Sequence, residues 1–379
     1  MKWLLIIAAV ASYGLETASA QNTSIAQTSR HSLTCTKRTF PGHEWKHVSR
    51  EHLHGWSLPK LAVARQYADS VHDSSFVVVQ CGRVVDEWGE TGKKITTFSV
   101  RKSLISALYG IYSAEGKIDI NETLEQAGID DDPSPLTKDE RQARIVDLLR
   151  SRSGVYHPAA FETDYQRNHH PARGSHAPGT FWWYNNWDFN TLVTIFEKKT
   201  GLKIGDAFYQ RIAKPTGMQD FQPGDVYYVG DTSVSMHPAS MFEMTARDMA
   251  RFGLLYLNHG RWKKQQVIPA AWVEKSSHAN EMVHVGERNF GGYEYLWWVE
   301  YGGVHLLEGT LPGMYSAQGA GGHIILVVPS LNAVVVNQFD NEPATRDSDT
   351  VKHAAQSRQA ISEGQLDHLV KLILDAVDG

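Results

Sequence analysis

Apolar and polar positions follow two different rhythms along the 379-residue chain. After a polar stretch over 21–50, Ser57 and Pro59 predict the opening of a helix that runs to about Val71. The apolar block 76–81, the pair Gly82-Arg83 and a second block at 84–88 predict a β-hairpin. A helical repeat (Leu104, Leu108, Ile111, Tyr112) spans 97–115 and stops at Gly116. The middle, 125–285, reads as mostly helical with long loops. Its helices are expected over 141–151, 188–200 closed by Gly201, 204–214, and 246–257 capped by Thr245. Strand signals return at 293–300, 304–308, 314–318, 323–328 and 333–338, before a last helix at 364–377. Strand-rich ends around a helical middle predict an α/β (α+β) fold. Its antiparallel sheet, flanked by N- and C-terminal helices, would be built from 21–124 and 286–379, with 125–285 inserted as a mostly helical domain.

Composition narrows the function more than the fold. With 37 Lys+Arg against 42 Asp+Glu, the net charge of −5 leaves no basic footprint for nucleic acid. The hydrophobic share of 42% excludes disordered, collagenous and coiled-coil chains. Lys2, the apolar run 4–10 and Ala18-Ser19-Ala20 read as a secretory leader cleaved after Ala20, so a periplasmic or secreted location is expected. That run is too short to span a bilayer, so no stable membrane insertion is expected. Two cysteines cannot build a disulfide framework or a four-thiolate metal site. In an oxidising compartment Cys35 and Cys81 either pair or stay as two buried thiols.

One local motif carries chemistry. Ser99-Val100-Arg101-Lys102 places a hydroxyl and an amine three residues apart, on one face of the helix they open. A buried lysine loses its proton more readily and can act as a base. The helix N-terminus favours the negative charge that develops beside it. Ser103 and Ser106 lack a lysine three residues on and read as ordinary helix residues. A second motif, Tyr184-Asn185-Asn186, lies at a loop-to-helix junction. A tyrosine held near a lysine serves as a proton shuttle, and an Asn amide can hold both the lysine and a substrate carbonyl.

These residues bring a resemblance into view. The chain resembles the serine hydrolases that group class C β-lactamases, penicillin-binding proteins, family VIII esterases and the amide hydrolases of aminohexanoate oligomers. Besides Ser99-x-x-Lys102 and Tyr184-x-Asn186, the likeness includes 145–154, Pro215-Thr216-Gly217-Met218, 245–260 and 295–298. It implies a β-lactamase/transpeptidase-like fold, with Ser99 as nucleophile, Lys102 as base and Tyr184 as proton shuttle. Asn186 would position Lys102 and the substrate. No cofactor is implied, and the partner is a small-molecule ester or amide.

The family's third motif carries Lys-Thr-Gly or His-x-Gly, whose cation grips a substrate carboxylate. The matching segment here is Ala317-Gln318-Gly319-Ala320, with Ala320 supplying an oxyanion N–H and Gln318 and Gly319 beside the substrate. Alanine at 317 disfavours β-lactam and D-Ala-D-Ala substrates and favours uncharged esters or amides. The alternatives are a β-lactamase or D-Ala-D-Ala peptidase, and a catalytically silent binding protein on the same scaffold. Lys199-Thr200-Gly201 matches the family triplet but reads as a helix C-terminus.

Other patterns read as structural. His43-Glu44-Trp45-Lys46-His47 matches a zinc-protease spacing but lacks a surrounding helix and a third ligand, so no metal site is expected. His157, His169, His170 and His176 read as a surface loop near the pocket mouth, and Asp130-Asp131-Asp132 as solvated turn charges. The aromatics Phe181, Trp182, Trp183, Trp187, Trp297 and Trp298 read mainly as core, some lining the pocket. No G-x-S-x-G elbow or G-x-G-x-x-G loop occurs.

Overall fold

The computed structural model describes residues 35, 38–49, 53, 55–286, 288–306, 308–357 and 360–377. The leader expected over 1–20 lies outside the described residues. Helix α1 (Leu58–Ser70) carries its proline in the first turn, where a missing N–H costs nothing. Strands β1 (Ser75–Gln80) and β2 (Arg83–Gly89) are joined at Cys81-Gly82, whose φ values of 51° and 79° give the turn that matches strand twist. A side chain at Gly82 would strike the Thr39 carbonyl oxygen at 1.8 Å. Cys81 is joined to Cys35 in a disulfide.

The chain continues through β3 (Ile95–Thr96) and helix α2 (Arg101–Ala114), and later through α3 (Asn186–Thr200). The hairpin β4 (Val226–Asp231) and β5 (Ser235–Met244) precedes α4 (Ala246–Leu257). Strands β6 (Gly292–Glu294), β7 (Trp297–Val299), β8 (Tyr315–Gly319), β9 (His323–Val328) and β10 (Ala333–Gln338) follow, then α5 (Glu363–Asp375). The large sheet is antiparallel in the order β6-β7-β8-β9-β10-β1-β2. A smaller sheet has the order β3-β5-β4.

The period-two alternation of strand side chains gives the large sheet two apolar faces. Phe76, Val78, Ile324, Leu326 and Val335 face α1 and α5 through Leu61, Ala64, Leu369 and Ile373. Val77, Val79, Ile325, Val327, Val334 and Val336 share a core with Leu104, Leu108 and Leu254 of α2 and α4. Because both faces are covered, β9 and β10 are buried at every position. α4, which the sequence reading assigns to the inserted segment, lies on this sheet. Its Gly253 sits so close that a Cβ would fall 2.5 Å from Val334.

Several expected elements take a different form. The single strand expected over 293–300 is a tight hairpin, turning at Tyr295 and Leu296 with φ of 45° and 67°. Two non-glycine residues tolerate that turn because tertiary contacts hold it. Leu296 N donates to Leu149 O at 3.0 Å, and Ser103 Oγ donates to Leu296 O at 2.7 Å. Among the described residues of 304–308, only an isolated bridge forms, from Val304 to Tyr301, across Gly302 and Gly303. The helix expected over 141–151 shrinks to Ile145–Leu149, because extended Ala143 accepts from Leu124 N instead. The 204–214 helix passes through a wide π-type turn at Tyr209–Ala213. The β4–β5 hairpin was hidden by Pro238, which sits opposite a bulge between Val229 and Asp231.

Candidate active site

The turn Phe98–Val100 runs directly into α2. Phe98 has φ of 47°, a left-handed value that costs a bulky side chain energy. The surrounding contacts hold it there. Thr97 donates to the Phe242 carbonyl from both N (2.8 Å) and Oγ1 (3.0 Å). The Phe98 ring packs 6.1 Å from Phe161 and 5.5 Å from His323. The kink leaves Ser99 half-buried at the foot of α2, beside N–H groups without helical partners.

Lys102 follows one turn later and is only 2% exposed. Its Nζ lies 2.6 Å from Ser99 Oγ. The amine also sits over the rings of Tyr184, at 4.9 Å, and Phe189, at 4.7 Å. Burial, reinforced by the Arg101 guanidinium, holds the Lys102 amine well below the ordinary lysine range. Burial pushes the Tyr184 hydroxyl up to about 12, against the pull of its hydrogen bond with Ser99 and of Arg101. The same desolvation thus drives Lys102 towards a free base and keeps Tyr184 a proton-bearing acid.

Tyr184 reaches this place through its loop and the start of α3. Gln166 Nε2 donates to Tyr184 O at 2.9 Å, and Asn185 N donates to Ser151 Oγ at 3.0 Å. Asn185 is the N-cap, accepting from Trp187 N at 3.2 Å. The Tyr184 ring stacks on Trp298 at 5.4 Å and meets Phe189 and Tyr293 at 5.0 and 5.9 Å. Asn186 is buried, but its amide nitrogen donates to Phe161 O and, at 3.3 Å, to Gln166 Oε1. Its Oδ1 has no partner. No hydrogen bond joins Asn186 to Lys102, so the amide supports the 161–166 loop rather than the amine.

The third segment is β8. A Cβ on Gly319 would lie 2.3 Å from Thr97 O and 3.3 Å from Ser99 N, so this strand end abuts the backbone of the serine turn. Ala320 follows at the strand's end and packs against the apolar cluster that includes Phe98 and Phe161. Ala317 is 1% exposed and belongs to the core. Gln318 is half-buried, and its Nε2 donates to Ser316 Oγ at 2.9 Å. His323 is buried, with Nε2 2.9 Å from Asn341 Oδ1, and burial lowers its pKa to about 4.

The remaining sequence candidates sit elsewhere. The segment 43–47 is not helical, so His43 and His47 share no helix face; His47 Nε2 instead lies 2.7 Å from Glu87. Among the described residues, no group of three or more His, Cys, Asp and Glu side chains is placed to hold a metal. Lys199 pairs with Glu122 at 2.6 Å, and Gly201 caps α3 with φ of 69°.

Two polar segments expected at the surface are partly interior. His157 and Asp131 are 1% and 3% exposed. Asp131 accepts from Trp187 Nε1 at 2.7 Å and Ser235 Oγ at 2.9 Å, and lies 3.0 Å from His157 Nδ1. This network ties the start of α3 to β5, which makes Trp187 a core residue. Arg101, Phe189 and Tyr293 also surround the dyad, and no motif marks them. Arg101 was visible only as an unassigned position beside Lys102, and Phe189 only as the third residue after Asn186.

A model of the beta-lactamase family matches residues 62–356. No curated protein sequence matches significantly. The chain is similar to a protein provisionally identified as a 6-aminohexanoate-dimer hydrolase from Bacillus anthracis (21% identity, TM-score 0.55, covering 86% of both chains). It is also similar to a family VIII carboxylesterase (13% identity, TM-score 0.56, covering 86% of this chain and 98% of that one). A penicillin-binding protein homolog from Caulobacter crescentus gives 12% identity and TM-score 0.57, covering 85% of this chain and 99% of that one. With the serine turn, its lysine and the apposed β8 strand in place, the chain belongs to the beta-lactamase family.

Proposed function

We propose that this protein is an exported serine hydrolase that cleaves an uncharged ester or amide through an acyl-enzyme on Ser99. The observation that carries this reading is the 2.6 Å contact between Ser99 Oγ and the buried Lys102 amine. Ser99 Oγ attacks the carbonyl carbon and its proton passes to Lys102 Nζ. The N–H groups of Ser99 and Ala320 hold the oxyanion. Tyr184 gives its proton to the leaving oxygen or nitrogen as that bond breaks, and Lys102 returns a proton to Tyr184. Water then attacks the acyl carbon and gives a proton to the Lys102–Tyr184 pair; the Ser99 Oγ–acyl bond breaks, the pair passes that proton to Ser99 Oγ, and the acid leaves.

Ala317 supports an uncharged substrate, because the third segment presents no cation to a carboxylate. The Cys35–Cys81 disulfide supports export to an oxidising compartment, as does the leader pattern at 1–20.

A fluorophosphonate probe read by intact mass tests the mechanism, and a panel of short acyl esters, linear amides and β-lactams tests the substrate class. We expect one adduct on Ser99, none on Ser99→Ala, and turnover of esters or linear amides. Ser99→Ala should fold normally. Full activity in that variant refutes the nucleophile. Rapid β-lactam turnover refutes the uncharged-substrate assignment, and a protein that acylates with nothing is a binding protein instead.

A further inference from the structure

Arg101 stands immediately before the lysine of the serine motif and is 0% exposed. Its Nη2 donates to Asn190 Oδ1 at 3.1 Å, while Nε and Nη1 have no acceptor. No carboxylate among the described residues pairs with it; the ionisable groups that act on its charge are the hydroxyls of Tyr184 and Tyr293. Burying a guanidinium without a counter-ion is heavily unfavourable, so cations inside proteins are ordinarily paired. The orientation is nevertheless fixed. Asn190 Nδ2 donates to Ala160 O at 3.0 Å, which turns the amide oxygen towards Arg101.

The next residue along, Lys102, lies over Phe189, the residue before Asn190. Consecutive residues of α2 therefore meet consecutive residues of α3. The groups around the Lys102 amine can be taken element by element. Its own helix contributes Ser99 and Arg101. The loop before α3 contributes Tyr184, and α3 contributes Phe189. Asp188 of α3 is engaged instead by Asn185 Nδ2 at 3.0 Å and by Ser153. The β6–β7 hairpin packs Tyr293 and Trp298 against the Tyr184 ring. Arg101 is the fixed charge in this surround.

We propose that Arg101 is a positioning residue for proton transfer: its permanent charge disfavours a second cation on Lys102 and offsets negative charge on the Tyr184 oxygen. The assignment rests on the serine-hydrolase reading above. When Tyr184 passes its proton to the leaving group, the phenolate formed lies beside a cation that cannot itself lose a proton. Lys102 then returns the proton taken from Ser99, and the charge disappears. The depressed Lys102 amine, with Arg101 as its second cause after burial, agrees with this placement.

The test is the rate of Ser99 labelling by a fluorophosphonate from pH 5 to 10, with the full chain, Arg101→Gln and Arg101→Lys. Loss of the charge should move the acid limb upward by about one pH unit or more, slowing labelling roughly tenfold at neutral pH and sparing it at high pH. Arg101→Lys, which keeps a cation in the coupled pair, should hold its acid limb below that of Arg101→Gln. If Arg101→Gln does not fold, Arg101→Lys decides alone: a limb near the unaltered protein's supports the role, and a rise of more than about one unit overturns it. Uniform slowing with an unmoved limb in Arg101→Gln reduces Arg101 to packing and overturns the proposal. An unaltered protein that takes no label on Ser99 refutes the hydrolase reading itself, which is a distinct result.

Discussion

Replacing Gly319 with alanine puts a methyl group where the structure has no room for one. The new Cβ would lie 2.3 Å from Thr97 O, 3.1 Å from the His323 Cβ and 3.3 Å from Ser99 N. The nearest of these is backbone, so no flexible side chain can swing aside. β8 cannot retreat either, because Gly319, Gln318 and Ala317 are registered against His323, Ile324 and Ile325. Thr97 is tied to Phe242 by two hydrogen bonds. The serine turn must therefore move by the better part of an ångström, carrying the Ser99 N–H with it. Misplacing a reacting group by about 1 Å costs about 10²-fold, and losing an oxyanion donor costs about 10²–10³-fold. We expect the acylation rate of Gly319→Ala to fall about 10²-fold, with about 1–3 kcal/mol of stability lost to overpacking. The assay is the fluorophosphonate labelling rate beside a thermal melt. Gly253→Ala serves as comparison, since its Cβ would meet Val334 at 2.5 Å and Ile325 at 2.9 Å in the core. It should lose similar stability and keep near-normal labelling. A Gly319→Ala protein that melts early but labels at the normal rate would refute the placement of the oxyanion site.

Two further perturbations follow from the same structure. The Cys35–Cys81 disulfide closes a sequence separation of 46 residues, so Cys35→Ser/Cys81→Ser should lower unfolding stability by about 4 kcal/mol in urea titration. Ser99 labelling should survive at low temperature, because Cys81 joins the Asn332 end of the large sheet while Ser99 lies near the His323 end; loss of labelling in the folded variant contradicts that separation. Asp73 is 6% exposed, and burial raises its pKa from 3.8 to about 7, with Asn337 Nδ2 3.1 Å from its Oδ1. The native state therefore binds a proton that the unfolded chain has already released, so stability from this group falls as pH rises from about 4 to 7 and stays low above. Asp73→Asn should gain up to a few kcal/mol at pH 8 and almost nothing at pH 4; an equal effect at both would rule out the buried acid as the cause.

The sequence revealed elements whose signals are local. Helix α4 begins at Ala246 because Thr245 caps it, and β9 and β10 coincide with their apolar runs. It hid elements whose geometry depends on distant partners. The turn at Tyr295-Leu296 contains two residues that rarely adopt positive φ, and it stands only because Leu149 and Ser103 hold Leu296. β5 carries a proline that is accommodated where the β4–β5 register breaks, between the pairs Val229–Ala239 and Asp231–Ser235. The site divides in the same way. Ser99 and Lys102 were legible because helix geometry fixes their spacing, and Tyr184 because it stands at a capped helix start. The partners of Asn186 were not legible, because its amide nitrogen donates to Phe161 and Gln166, residues of a loop that no periodicity places.

Charge placement connects the substrate proposal to the mechanism. Position 317 lies in the core, where a lysine would have to be buried among Ile325 and its neighbours before it could meet a substrate carboxylate. Arg101 is bonded to Asn190, and the ionisable groups that act on its charge are the Tyr184 and Tyr293 hydroxyls. A cation in that position acts on the proton-transfer groups, not on a substrate anion. On the proposed mechanism, buried positive charge serves the chemistry common to esters and amides, while position 317 offers a substrate no cation. An anionic substituent on the acyl group would be desolvated there without a partner, so a neutral substrate should outpace its carboxylated analogue in kcat/KM. Matched ester pairs differing only in that carboxylate give the measurement, and a preference for the charged member would reverse the assignment.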